Sequence, residues 1–229
     1  MNKKVNRSAG NSSKIIKLRN TKIRQIARTA ASLFFKKGYM QVTTREIAEA
    51  CRISPGTLYY YIKAKDDFLK ILSQITTEDL NRWEKRLRKE IAQMSPEEAL
   101  RKTTRELLLM IDNMQDSIIF WYSVSRYLNS EQVKDIMDIE LFSVNIVKHV
   151  IELGVKKGRF KTADPLVTAY NIVAMCHIWV LKRWHLHGLY TVEQYAALLE
   201  DLAVSMARGC ADDKTLPRRK LSANHRVRA

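Results

Sequence analysis

Apolar side chains recur every three to four residues along most of this chain, the period expected of helices packed against one another. The first stripe comprises Ile23, Ile26, Ala27, Ala30, Leu33 and Phe34. It ends at Lys36-Lys37-Gly38, where two cations suit the negative end of a helix and a glycine allows it to stop. Seven glycines and four prolines in 229 residues leave little material for the tight turns of a β-rich fold.

Start signals divide the remainder. Thr43 and Glu46 form a capping box for a short helix through Cys51, and Ser54-Pro55 opens another. Asp66 and Asp67 begin a long helix to Ile91, and Ser95-Pro96-Glu97-Glu98 begins one that passes Ile111. The apolar run 118–124 is a further helix. Ser130 is read as the cap of a helix to Lys157, Asp164-Pro165 as the start of one ending at Gly188, and Thr191 with Gln194 as the last N-terminus. The chain is therefore expected to be all-α, with about nine helices and no internal repeat.

Charge is placed unevenly. Residues 1–63 hold 14 basic and 2 acidic side chains, whereas residues 64–213 hold 20 basic and 22 acidic ones. The last sixteen residues add 6 basic and no acidic groups. A positive field at one end points to a polyanionic partner there, a nucleic acid or an anionic surface. The expected organisation is a basic unstructured arm over 1–17, a small helical domain over 18–64, a larger one over 65–210 and a basic tail over 211–229.

Three short helices fall between residues 18 and 62, the second and third joined by a tight turn at Cys51-Arg52-Ile53. That is a helix-turn-helix arrangement, in which the later helix enters the major groove. The segment Pro55-Gly56-Thr57-Leu58-Tyr59-Tyr60-Tyr61 suits such a helix. Gly56 permits close backbone approach, Thr57 and the tyrosine hydroxyls can reach phosphate, and ring edges can pack on thymine methyls. Three consecutive tyrosines point in three directions, so they cannot all be core.

The stretch Thr43-Thr44-Arg45-Glu46-Ile47-Ala48, then Ser54-Pro55-Gly56-Thr57-Leu58-Tyr59-Tyr60-Tyr61-Ile62-Lys63-Ala64-Lys65, resembles the N-terminal domain of TetR-family transcriptional regulators. The resemblance extends over about residues 20–70. It implies a dimer, usually a repressor, that leaves operator DNA when a small molecule enters the C-terminal domain. By the same match, Arg45, Pro55, Gly56 and Tyr59 correspond to base-contacting positions. Thr44, Thr57, Tyr60, Tyr61 and Lys65 correspond to phosphate-contacting positions, with Tyr61 standing where histidine is common. The segment 175–184, with Gly188 and Glu193, is similar to the penultimate-helix region of members that regulate fatty-acid and sterol-ring degradation. That similarity implies an acyl-CoA thioester as effector.

An effector cavity is expected between the helix after Lys65 and the helices of about 100–155. Met110, Met114, Phe120, Trp121, Tyr122, Tyr127 and Phe142 are its expected lining, with Arg126 and Lys148 as partners for a phosphate or carboxylate; plain core is the alternative reading of the apolar cluster. The last two helices, about 165–187 and 191–208, carry the apolar positions Tyr170, Val173, Val180, Leu181, Tyr195, Leu199, Leu202 and Met206. Pairing them between two copies would make a four-helix bundle.

Other chemistries find little support. His185 and His187, two apart on a helix, diverge by about 200° and do not share an ion with His177, so no metal or cofactor is expected. No nucleophile elbow, phosphate loop or zinc spacing occurs, and an enzyme is not expected. Cys51, Cys176 and Cys210 are widely spaced and read as reduced thiols of a cytoplasmic protein. The N-terminus lacks an apolar leader, and the longest apolar stretch, 166–181, is interrupted by Asn171 and His177 and falls short of the ~20 residues a membrane span needs. Two functions remain open: a ligand-responsive repressor, and a constitutive or architectural DNA-binding protein whose C-terminal domain only dimerises.

Overall fold

The computed structural model describes residues 5–125 and 128–209, with side chains over 18–125 and 128–209. Among these there are helices and no strands: α1 (Val5–Lys37), α2 (Thr44–Ala50), α3 (Pro55–Tyr61), α4 (Asp67–Ile91), α5 (Pro96–Asn113), α6 (Gln115–Val124), α7 (Ser130–Lys156), α8 (Pro165–Leu181), α9 (Arg183–Leu186) and α10 (Val192–Arg208). The helix starts at Thr43, Ser95 and Thr191 carry complete capping boxes, and Ser54 caps α3 through the Thr57 amide. These interactions span three residues, which is why they are legible in sequence.

Three local details differ from expectation and one refines it. The backbone is helical from Val5, so residues 5–17 continue α1 where an unstructured arm is expected, and residues 1–4 lie outside the described residues. Once 23–37 is anchored by packing, each upstream residue adds to an existing helix without a new nucleation cost. The cap of α7 is Asn129, whose side chain accepts from the Gln132 amide, and Ser130 is the first helical residue. The helix starting at Pro165 breaks at Lys182 (φ −112°) instead of running to Gly188, so the described residues form ten helices. Finally, Arg52 holds the turn between α2 and α3 at φ +52°, a left-handed conformation that usually falls to glycine. The tail at 211–229 lies outside the described residues.

Two apolar cores organise the chain. The first joins Ile26, Ala30 and Phe34 of α1, Ile47 of α2 and Leu58 of α3 to Phe68, Leu69 and Leu72 of α4 and to Phe120 and Val124 of α6. The second joins the lower half of α4, from Leu80 to Leu87, with α5, α7, α8 and α10. The N-terminal core therefore does not close at residue 64, because α4 and α6 both reach into it. No described helix is long and apolar enough to cross a membrane.

Candidate DNA-reading head and effector cavity

α3 exposes one face and buries the other. Leu58 is 1% exposed and anchors the helix, while Pro55, Gly56, Thr57, Tyr59 and Tyr60 face solvent. Tyr60 meets Tyr61 edge-on at 5.2 Å, and the Arg19 guanidinium of α1 lies 5.7 Å from the Tyr60 ring centroid. The Tyr59 hydroxyl lies 3.0 Å from Thr44 Oγ1, linking α3 to the start of α2. Arg45 is exposed and, among the described residues, held only by Glu49 at 3.4 Å, an ion pair weak enough to yield to a base or phosphate. These residues are solvent-facing positions of α2 and α3, joined by the Thr44–Tyr59 contact.

The support beneath that face is electrostatic as well as apolar. Lys65 sits 4.4 Å from the Tyr39 ring and donates to the Met40 carbonyl at 3.4 Å, and burial lowers its pKa. Burial, reinforced by the hydrogen bond to Asp66, pushes the Tyr39 hydroxyl well above its ordinary pKa. Lys37, then the Thr43 amide, hold Glu46 down to about 2, so the capping box stays ionised. Gly56 has a further property. A Cβ built there would meet only Ser54 Oγ at 3.9 Å, so nothing within the fold requires a glycine.

A cavity of about 260 Å³ lies between α4, α5, α6, α7 and α8. Three helices line it with rows at i, i+3, i+4 and i+7: Leu107, Met110, Ile111 and Met114 on α5; Ile118, Trp121, Tyr122 and Ser125 at α6; Ile136, Ile139, Glu140 and Ser143 on α7. Thr76 and Leu80 of α4 and Val173 and His177 of α8 complete it. Tyr122 Oη and His177 Nδ1 are 3.0 Å apart, and burial holds the His177 pKa down to about 4.

Of the expected lining, Met110, Met114, Trp121 and Tyr122 are present. Phe120 is not: it is fully buried in the N-terminal core, stacked on Phe34 at 5.3 Å and 24°. Phe142 packs on the C-terminal core away from the cavity, and Lys148 pairs with Glu152 on the surface of α7. Arg126 and Tyr127 lie outside the described residues. The three rows were the missed signal, since each follows the spacing that puts residues on one helix face.

A larger cleft of about 1290 Å³ adjoins this cavity, and the two share Thr76, Met110 and Met114. Its wall carries Arg28, Arg82, Arg86 and Arg183 together with the carboxylates Asp79, Glu106, Asp112 and Asp116. Arg82 and Arg86 are engaged by Asp79 and Glu106, and Arg183 more loosely by Asp116 at 3.7 Å. Arg28, exposed on α1, has no acidic partner among the described residues. Arg183 also lies 4.9 Å from the centroid of Phe35, so α9 touches α1 directly.

The expected dimer positions separate into two sets. Val173, Val180 and Leu199 are no more than 2% exposed and belong to the C-terminal core. Met206 packs against that core, and Tyr195 stacks on Trp179 at 5.1 Å. Burial within one chain takes Val173, Val180 and Leu199 out of the expected contacts between copies, while Tyr195 and Met206 are half-buried. Tyr170, Leu181 and Leu202 remain exposed, as do the apolar Val167, Ile178, Trp184 and Leu198 on the same helices α8, α9 and α10. His187 stacks on Trp179 at 4.2 Å and His185 tilts against Trp184 at 5.4 Å. No metal-binding cluster of His, Cys, Asp or Glu occurs among the described residues.

Comparison with known proteins agrees with this architecture. Residues 26–71 match the bacterial regulatory proteins of the tetR family, and residues 93–207 match the tetracyclin repressor-like C-terminal domain. The HTH-type transcriptional regulator HbdR of Aromatoleum sp. (strain CIB) is 24% identical over 172 residues, 75% of this chain and 74% of that protein. The HTH-type transcriptional repressor KstR2 of Rhodococcus jostii (strain RHA1) is 25% identical over 161 residues, 69% of this chain and 77% of that one. A bacterial regulatory protein in the tetR family from Rhodococcus RHA1 superposes with a TM-score of 0.72 at 26% identity, covering 83% of this chain and 98% of that one. AibR in complex with isovaleryl coenzyme A and operator DNA superposes with a TM-score of 0.63 at 24% identity, covering 79% and 97%.

Proposed function

The chain belongs to the TetR family of bacterial regulatory proteins, and from that premise we propose that it is a dimeric repressor released from a palindromic operator by a small coenzyme A thioester. The observation that carries this reading is the joining of an apolar cavity to an arginine-bearing cleft at Thr76, Met110 and Met114. An acyl group needs the first environment, and a phosphate-bearing carrier needs the second. Most charges in the cleft are already paired, which leaves Arg28 and the loosely held Arg183 as the groups for phosphate. They replace Lys148, which lies outside the cavity. The isovaleryl coenzyme A complex of the structural relative AibR supports the same ligand class.

The reading head comprises Thr44, Arg45, Pro55, Gly56, Thr57, Tyr59, Tyr60, Tyr61 and Lys65. Arg45 and the exposed edge of α3 read bases, and the hydroxyls and Lys65 hold phosphates. The exposed apolar positions from Val167 to Leu202 pair with their copies in a two-fold bundle, presenting two heads to half-sites about 34–36 Å apart.

Release follows from the helices shared by both cores. α4 places Phe68 and Leu72 in the head and Thr76 and Leu80 on the cavity. α6 buries Phe120 against α1 and turns Trp121 and Tyr122 toward the ligand. An effector preferring one tilt of these helices opposes operator binding reciprocally, with a coupling of about 1–3 kcal/mol.

The test uses operator-like DNA selected from a random library, followed by titration of coenzyme A thioesters of graded acyl size into the complex. Release at concentrations that also bind the free protein supports the reading. Tight binding without release favours a constitutive DNA-binding protein, and absence of any sequence preference removes the regulator itself.

A further inference from the structure

The cavity carries one polar feature that a plain hydrocarbon would leave unused. Tyr122 and His177 face each other from α6 and α8, their rings edge-on at 5.9 Å and 88°. Beyond the 3.0 Å contact between them, neither side chain makes another hydrogen bond among the described residues. His177 Nε2 and part of the phenol's hydrogen-bonding capacity are therefore open. Because burial holds His177 to a pKa of about 4, its ring is neutral near pH 7 and can donate or accept. Glu140 lines the same cavity and disfavours an anionic group beside Tyr122. A neutral oxygen is the chemistry that matches this wall.

Volume limits what can carry that oxygen. At about 260 Å³ the cavity exceeds the roughly 150 Å³ that holds benzene and falls below the roughly 300–1,000 Å³ of sites for drug-sized ligands. One substituted ring, or an acyl group of similar bulk, fits that space.

We propose that Tyr122 and His177 are specificity-determining residues that select an effector whose compact ring or acyl group bears a hydroxyl or keto oxygen. The inference rests on the reading of this cavity as the effector site. Were the pair only a strut between α6 and α8, removing its hydroxyl would change stability and leave ligand preference alone.

Calorimetric titration of matched pairs tests this: benzoyl-CoA against its ring-hydroxylated forms, and hexanoyl-CoA against 3-hydroxyhexanoyl-CoA, with the corresponding methyl esters lacking coenzyme A. Wild type is expected to favour the oxygenated member of at least one pair about tenfold, the scale of one hydrogen bond. Tyr122→Phe should erase most of that preference, so that the oxygenated and plain members of the pair bind within about twofold of each other. His177→Gln, which retains a donor and an acceptor, should keep part of it. If Tyr122→Phe does not fold, His177→Phe is read in its place. Preference for the plain member of every pair, or an unchanged preference in the variant, overturns the proposal. Oxygenated methyl esters binding where no thioester does overturns the coenzyme A reading and leaves the role of the pair standing. No binding in either series overturns both.

Discussion

Phe120 and Trp121 are consecutive on α6, with rings 5.2 Å apart, and both pack in the N-terminal core, yet of the two only Trp121 also reaches the cavity. Phe120 is fully buried against Phe34 in the reading head, and Trp121 lines the cavity between α4, α5, α6, α7 and α8. Successive helical residues point about 100° apart, so one short helix can register both compartments. Phe120→Leu is expected to leave effector and operator affinities nearly intact when each is measured alone. The coupling between them should fall by about 1 kcal/mol, several-fold in the effector needed for release. Fluorescence anisotropy of labelled operator, with and without effector, measures it; unchanged coupling would remove α6 as a transmitting element.

Gly56 separates folding from recognition. Its surroundings accommodate a Cβ, and alanine favours helix over glycine, so Gly56→Ala should keep or raise thermal stability by up to about 1 kcal/mol. Operator affinity should nevertheless fall at least about tenfold if the backbone of α3 meets DNA closely. Full operator affinity in this variant would place Gly56 away from the interface. Arg45→Ala is expected to relax base preference at one operator position at a cost of about 1–3 kcal/mol.

The dimer face is best tested by two leucines three residues apart on α10. Leu202 is 50% exposed, so Leu202→Glu should yield folded monomers that lose operator binding. Leu199 is 2% exposed, and a carboxylate there would be buried without a partner, so Leu199→Glu should unfold the domain. Sedimentation together with circular dichroism distinguishes the outcomes. A dimeric Leu202→Glu protein would place the interface elsewhere.

His177 also predicts a pH dependence. Its folded pKa of about 4 lies below the value of about 6.5 expected when unfolded, so the unfolded chain binds the extra proton between them. Its contribution to stability is complete above about pH 6.5 and is lost as pH falls toward 4. His177→Gln should flatten the denaturation midpoint across that window. Equal slopes in wild type and variant would contradict the assignment.

Thr103 and Thr104 are both fully buried on α5, with different consequences. Thr103 donates to the Ala99 carbonyl at 2.7 Å, whereas Thr104 Oγ1 has no hydrogen-bond partner among the described residues. Thr104→Val should stabilise the fold by about 1 kcal/mol, and Thr103→Val should not. Urea denaturation of the two variants gives the ordering directly.

Most helix starts were legible because a cap and its amide partner lie within three residues: Thr43 with Glu46, Ser95 with Glu98, Thr191 with Gln194. Regular apolar spacing likewise sufficed for the all-α class, and the motif around Ser54-Pro55-Gly56 for the reading head. What only the tertiary structure decided was how helix faces were allotted. Val173 and Leu202 are both apolar on C-terminal helices, but the first fills the core of its own chain and the second is left bare. Trp121 reaches the cavity and Phe120 does not for the same reason, and Tyr122 meets His177 although 55 residues separate them. Local periodicity states that a face is apolar. Which surface covers that face depends on the crossing and rotation of several helices at once, and that information is absent from any single stretch of chain.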